Sequence, residues 1–134
     1  MNNNFKFLVI DDNEIDRLIT GELLKINISN ANVKFANSGM EGIEWLKINM
    51  PPEDEHLVIL LDIMMPLAGG FEFLKMVDQL DGATKENMQI FMLSSTLNQE
   101  EYELAENNRY VKHLFSKPLP VKELLTYIYK IFCT

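Results

Sequence analysis

A single cysteine, Cys133, stands in 134 residues, so no disulfide can close within the chain and stability has to come from a core. Its place in the apolar C-terminal segment points to a packed or frayed thiol rather than a nucleophile. No apolar run reaches the length of a membrane span, and the opening Met1-Asn2-Asn3-Asn4 lacks the charged-then-apolar pattern of a signal peptide. Basic residues are in the minority: 12 Lys and Arg stand against 20 Asp and Glu, a formal net charge of −8. Such a field repels phosphate backbones and anionic lipid, which argues against nonspecific nucleic-acid binding and against membrane association. There is no Gly-x-Gly-x-x-Gly and no P-loop, so nucleotide binding has no local support. His56 and His113 are in no metal-ligand spacing and are expected at surface or edge positions. These absences suit a cytoplasmic protein whose length fits one domain.

What is present is organised around Leu57-Val58-Ile59-Leu60-Leu61-Asp62-Ile63-Met64-Met65-Pro66. The apolar run reads as a strand buried on both faces, as in the middle of a parallel sheet. It ends on one carboxylate, and Pro66 stops it from simply continuing.

The rest of the chain alternates around that strand. Phe5 to Ile10 predicts strand one, followed by a helix whose Ile15, Leu18, Ile19, Leu23 and Ile26 fall at helical spacing. Val33 to Ala36 predicts strand two. Ser38 caps helix two, with Glu41 as capping-box partner and Met40, Ile43 and Leu46 as the buried stripe. Pro51 to Glu55 reads as a loop before strand three. Gly69-Gly70 opens helix three, with Phe73, Leu74, Val77 and Leu80 inward. A loop over 81–87 leads to strand four, Met88 to Leu93, and Asn98 with Glu101 starts helix four. Tyr110 to Phe115 predicts strand five. Pro120 suits the first turn of helix five, which buries Val121, Leu124, Leu125, Ile128, Ile131 and Phe132. Five strands alternating with five helices imply an α/β fold, a doubly wound parallel sheet with helices on both faces and right-handed crossovers. No repeat, low-complexity tract or linker interrupts it, so a single domain over 1–134 is expected, with no output domain. Trp45 reads as half-exposed, and the eight methionines as core filler.

The polar exceptions line up at one edge of such a sheet. Asp11 and Asp12 follow strand one, Asp62 strand three, Ser94 strand four and Lys117 strand five. Taken singly, each has a plain structural role. The Asp pair or Ser94 would serve as helix caps, Asp62 as a turn or cap, and Lys117 as a solvated loop lysine. Taken together, three carboxylates that converge are unfavourable without a cation, and hard oxygen ligands suit Mg²⁺. Lys and Ser then supply donors for an anion beside it, an arrangement that fits phosphoryl transfer to a carboxylate.

Val9-Ile10-Asp11-Asp12-Asn13, Leu60 to Pro66, Gly70, Met92-Leu93-Ser94-Ser95 and Ser116-Lys117-Pro118 resemble the receiver domain of two-component response regulators, the CheY-like fold, over essentially the whole chain. The resemblance implies sheet order 2-1-3-4-5 and a phosphohistidine donor on a histidine kinase or histidine phosphotransfer protein. It implies Asp62 as phosphoacceptor, Asp12, Asp11, Asp62 and the Met64 carbonyl around Mg²⁺, Ser94 and Lys117 on the phosphoryl oxygens, and a cis Lys117–Pro118 bond. It implies signalling to a downstream protein, or passage of the phosphoryl group along a phosphorelay, through the face of helix four, strand five and helix five, where a homodimer can also form. Such a domain catalyses only its own phosphorylation and dephosphorylation. An enzyme of the haloacid-dehalogenase type, a phosphatase with an aspartyl intermediate, is the rival; it would need a second Asp where Asn13 stands.

Two positions depart from the family. The residue three before Lys117, usually Tyr or Phe, is Leu114, which cannot swing a ring; a shift of the loop after Ser94 and of helix four is expected in its place. Met64 and Thr96 flank the path of an attacking water, and Met64 orients none, so slow dephosphorylation is expected.

Overall fold

The structure, a computed structural model, describes residues 5–52, 54–65, 69–80, 85–96 and 98–132. Five parallel strands, β1 (Phe5–Ile10), β2 (Val33–Ala36), β3 (His56–Asp62), β4 (Met88–Ser94) and β5 (Val111–Ser116), lie in the order β2-β1-β3-β4-β5. Among the described residues the helices are α1 (Glu14–Asn27), α2 (Gly39–Asn49), α3 (Gly70–Asp78), α4 (Gln99–Glu106) and α5 (Val121–Phe132), with one 3₁₀ turn, Lys85–Asn87. None is long and apolar enough to cross a membrane.

Strand parity divides the interior in two. Leu8, Ile10, Ile59, Leu61, Ile90, Met92 and Leu114 pack against Ile43 and Leu46 of α2, Phe73, Leu74 and Val77 of α3 and Ala105 of α4. The alternate residues Phe7, Val9, Val58, Leu60, Phe91, Leu93 and Phe115 pack against Leu24 of α1 and Val121, Leu124 and Ile128 of α5. A strand covered on both faces has no solvent side, which is why β3 and β4 are apolar at nearly every position rather than at every second one.

Helix starts follow side-chain chemistry. Asn13, Ser38 and Asn98 accept from the backbone N–H three residues on, at Asp16, Glu41 and Glu101, satisfying donors that a helix start leaves unpaired. Glu41 answers Ser38 by accepting from the Asn37 N–H. The start of α3 has no side-chain cap; the Gly70 N–H donates instead to the Ile63 carbonyl at 3.1 Å.

Some expectations are corrected. Helix α1 has the expected period, but Ile15, Leu18, Ile19 and Ile26 are exposed; Thr20, Gly21 and Leu24 face inward. A Cβ on Gly21 would come within 2.5 Å of the Phe35 ring, so close approach to β2 puts the small face inward. Met40, in the first turn of α2, is exposed, and Gly42 packs in its place, 2.7 Å from Ile10 Cδ1 at an ideal Cβ. Strand β5 runs from Val111 to Ser116, one residue later than expected at each end. Leu80 lies just beyond α3, packed against the core, and Leu125 is only partly buried. Trp45 is partly buried as expected. The expectations for Pro66, residues 81–84, the side chains of Ile131 and Phe132, and Cys133 lie outside the described residues.

Candidate functional site

All five singled-out residues end or follow a strand at one edge of the sheet. Asp62 and Ser94 are the last residues of β3 and β4; Asp11 and Asp12 follow β1, and Lys117 follows β5. Since β1 lies beside β3 and β3 beside β4, the order alone brings them together. The helix-cap and loop-lysine alternatives fall away, while Asp62 keeps a turn contact to the Met64 N–H. Asn13, not the Asp pair, caps α1, and Asn98, not Ser94, caps α4. Asp11, Asp62 and Ser94 are buried. Lys117 is no solvated loop lysine: its side chain is 14% exposed and its Nζ stands 2.8 Å from Asp11 Oδ2, 2.9 Å from Asp16 Oδ2 and 3.5 Å from Asp62 Oδ1. The Lys117–Pro118 peptide is cis, as the resemblance implies.

Backbone contacts hold the frame. The Asn13 N–H donates to Asp11 Oδ1 at 3.0 Å and the Met64 N–H to Asp62 Oδ1 at 3.3 Å. Arg17 Nη1 donates to the Asp11 carbonyl at 2.8 Å. The Lys117 N–H donates to the Ser94 carbonyl at 2.9 Å, and the Ile63 N–H to the Leu93 carbonyl at 3.1 Å.

Burial, then the charge of Asp11, push the Asp62 carboxyl from 3.8 to about 6; Lys117 and the Met64 N–H pull the other way. Asp62 is thus ionised at neutral pH and poorly solvated, as suits an oxygen nucleophile. Burial alone would lower the Lys117 ammonium. Hydrogen bonds to Asp11 and Asp16 and the charges of Asp62 and Asp11 outweigh it, and its pKa lies above the ordinary lysine value.

Asp11, Asp12 and Asp62 each offer a carboxylate oxygen, all within 4.8 Å of one another. Oxygens around an octahedral Mg²⁺ at about 2.1 Å stand roughly 3–4 Å apart, so the cluster fits such an ion after a small closure. Asp12 is exposed, which leaves one side of the cluster open to water.

Ser94 carries a contact that sequence reasoning did not foresee. Its hydroxyl donates to Glu101 Oε1 in the first turn of α4 at 2.8 Å, and Thr96 Oγ1 donates to that oxygen at 3.2 Å. Asp16, Arg17 and Glu101 are the site neighbours the sequence reading missed. The signal for Asp16 was available, since the first turn of a helix that starts beside Asp12 has to pass the same edge. His113 lies on the edge strand β5 as expected, but it is not a surface residue. It is half-buried, its ring centroid 4.8 Å from those of Phe115 and Tyr127, with Nδ1 3.0 Å from the Tyr127 hydroxyl. Leu114 is buried in the same core cluster as Met92 and Ala105.

The family model for the response regulator receiver domain matches residues 7–129. A two-component response regulator of Arabidopsis thaliana, ARR17, is 31% identical over 102 residues, covering 71% of this chain and 64% of that protein; the chain thus spans under two thirds of that relative. A response regulator receiver protein from Dyadobacter fermentans is 30% identical, with a TM-score of 0.86 over 96% of this chain and 98% of that one. A two-component response regulator from Cytophaga hutchinsonii, 23% identical, shares the fold with a TM-score of 0.88 over 99% of this chain and 100% of that one. Receiver domains generally bind Mg²⁺ at an acidic pocket, and this chain carries a cluster of three aspartates, Asp11, Asp12 and Asp62. Five strands in the order 2-1-3-4-5, an acidic edge and a family match over nearly the whole length make this chain a member of the response-regulator receiver family, CheY-like domains of two-component signalling that are typically phosphorylated on an aspartate.

Proposed function

We propose that Asp62 accepts a phosphoryl group from a phosphohistidine on a histidine kinase or phosphotransfer protein, with residues 1–134 acting as one receiver unit in the cytoplasm. An Asp62 oxygen attacks phosphorus, the phosphorus–nitrogen bond of the donor breaks, and the histidine departs with the electron pair. Asp12, Asp11, Asp62 and the Met64 carbonyl would hold Mg²⁺, which when bound neutralises phosphoryl oxygens. Lys117 supplies the fixed positive charge and Ser94 a hydrogen-bond donor for the remaining oxygens. Met64, exposed beside Asp62, has no side-chain group to orient a hydrolytic water, which supports slow loss of the phosphoryl group.

The observation that carries this reading is the Lys117 ammonium held between Asp11 and Asp62 inside the acidic cluster. That is the pre-placed charge pattern a developing phosphoryl anion needs. For output, exposed Tyr102 and Leu104 on α4 and Tyr129 on α5 support a protein partner, or a second copy, on the α4–β5–α5 face. The negative net charge favours such a partner over nucleic acid or an anionic membrane.

Incubation with acetyl phosphate and Mg²⁺, followed by intact mass, is the direct test. One added phosphoryl group is expected on the native chain and none on Asp62→Asn. An unmodified native chain, or an Asp62→Asn chain that gains the group, would overturn the assignment. Size-exclusion chromatography of the same samples reads out pairing.

A further inference from the structure

We propose that Glu101 is a positioning residue of the phosphoryl-accepting site. Its carboxylate holds the Ser94 hydroxyl, and phosphorylation of Asp62 has to take that hydroxyl away from it. This rests on the role given to Ser94 above and adds the element that couples it to helix α4.

A serine hydroxyl has one proton to donate. Here that proton goes to Glu101 Oε1 at 2.8 Å, a short bond to an ionised acceptor and so among the stronger kinds. The same oxygen accepts from Thr96 Oγ1 at 3.2 Å, and the Thr96 N–H donates to Ser94 Oγ at 3.2 Å. Three residues thus form a closed clasp between the end of β4 and the first turn of α4. Glu101 takes part through its side chain while its own N–H is capped by Asn98 at 2.8 Å. In an ordinary capping box the carboxylate would reach back to the cap residue. Here it reaches to the phosphoryl-binding edge instead.

A phosphoryl oxygen and the Glu101 carboxylate are both anionic acceptors, and they compete for one donor. When Ser94 turns to the phosphoryl group, Glu101 loses that partner, and the first turn of α4 keeps its contact with Thr96, beyond the end of β4, but not its direct bond to the strand. The site is linked in this way to a helix of the signalling face, with no need of a rotating ring. Leu114 is 3% exposed and packed in the core, so it offers no such movement.

The test is the affinity for beryllofluoride, a phosphoryl mimic, in the presence of Mg²⁺, measured by calorimetry. The chains compared are native, Glu101→Ala, Glu101→Gln, Ser94→Ala and the Glu101→Ala, Ser94→Ala double variant. Removing the competitor is expected to tighten binding about tenfold in Glu101→Ala, the scale of one hydrogen bond to a charged group. Glu101→Gln, which keeps an acceptor but not the charge, is expected to gain less. The gain should vanish in the Ser94→Ala background, since the cycle isolates the pair. A general loosening of α4 would shift both backgrounds alike. Amide resonances of α4 in unliganded Glu101→Ala should move toward their positions in the beryllofluoride-bound native chain. If Glu101→Ala does not fold, the glutamine variant carries the comparison. Unchanged or weaker binding on loss of Glu101, or an equal gain with and without Ser94, would overturn the inference. If Ser94→Ala binds as tightly as the native chain, the role of Ser94 itself fails, and the clasp falls with it.

Discussion

Asp62 carries a cost at neutral pH that follows from where it sits. Burial and Asp11 raise its carboxyl from 3.8 to about 6 in the fold, so the folded chain binds that proton more tightly than the unfolded chain does. The resulting stability is full below pH 3.8 and is lost as pH rises through about 6. Two pKa steps correspond to at most about 3 kcal/mol. Asp62→Asn is neutral at every pH and is expected to stabilise the metal-free chain by about 1–3 kcal/mol at pH 7.5. That gain should fade as pH falls from 6 toward 4. Urea unfolding with a chelator at both ends of the range measures it; a gain that does not shrink on acidification contradicts the assignment. At this scale the sequence was readable where a residue's role follows from which strand it ends. It was silent where the role depends on which way a helical side chain turns. Asp62, Ser94 and Lys117 belong to the first kind. Glu101 belongs to the second, because an acid in the first turn of a helix already has a reason to be there and nothing in its spacing reveals a second partner.

Helices reach the site edge through close approaches that only small residues permit. Gly70 opens α3, and an ideal Cβ there would stand 2.7 Å from Met92 Cε, 3.0 Å from the Asp62 carbonyl oxygen and 3.1 Å from Ile63 Cα. The methionine end can yield, but the backbone of Asp62 and Ile63 cannot without moving the proposed phosphoacceptor. Gly70→Ala is therefore expected to destabilise the fold by about 1–3 kcal/mol, as overpacking does. It should also slow acetyl-phosphate labelling of Asp62, whereas substitution of the exposed Glu72 in the same helix should do neither. Chemical denaturation and timed intact mass give the two readouts. Elements with a strong local signal, the apolar β3 and β4 and the capped α2 and α4, lie where the sequence places them. The inner face of α1 is less legible, since of its five periodic apolar residues only Leu23 packs on the core, beside Leu24, while Ile15, Leu18, Ile19 and Ile26 are exposed. Close approach to Phe35 favours Gly21 on the inner face, a choice made by the distance between layers and invisible in a hydrophobicity pattern.

The exposed apolar residues of α1 matter for the molecule as a whole. Ile15, Leu18 and Ile19 stay exposed, and Ile19 borders an open cleft of about 360 Å³ that Asp16, Thr20, Ser95, Lys117 and Pro118 also line. An apolar patch beside the mouth of an acidic site is where a protein donor would gain binding energy while presenting its phosphohistidine to Asp62. A small phosphodonor has no use for such a patch. The two donors should therefore respond differently to one change. Ile15→Ser with Ile19→Ser is expected to leave labelling by acetyl phosphate within about twofold of the native rate, since neither side chain touches the reacting groups. The same pair is expected to cut transfer from a phosphorylated histidine protein at least tenfold, the size of a lost interface anchor. The loss should appear in the concentration of donor needed for half the maximal rate rather than in the maximal rate itself, because docking and chemistry are separate steps. Equal losses with both donors would place α1 in the chemistry. No loss with either would move the donor's footing to another face of the domain.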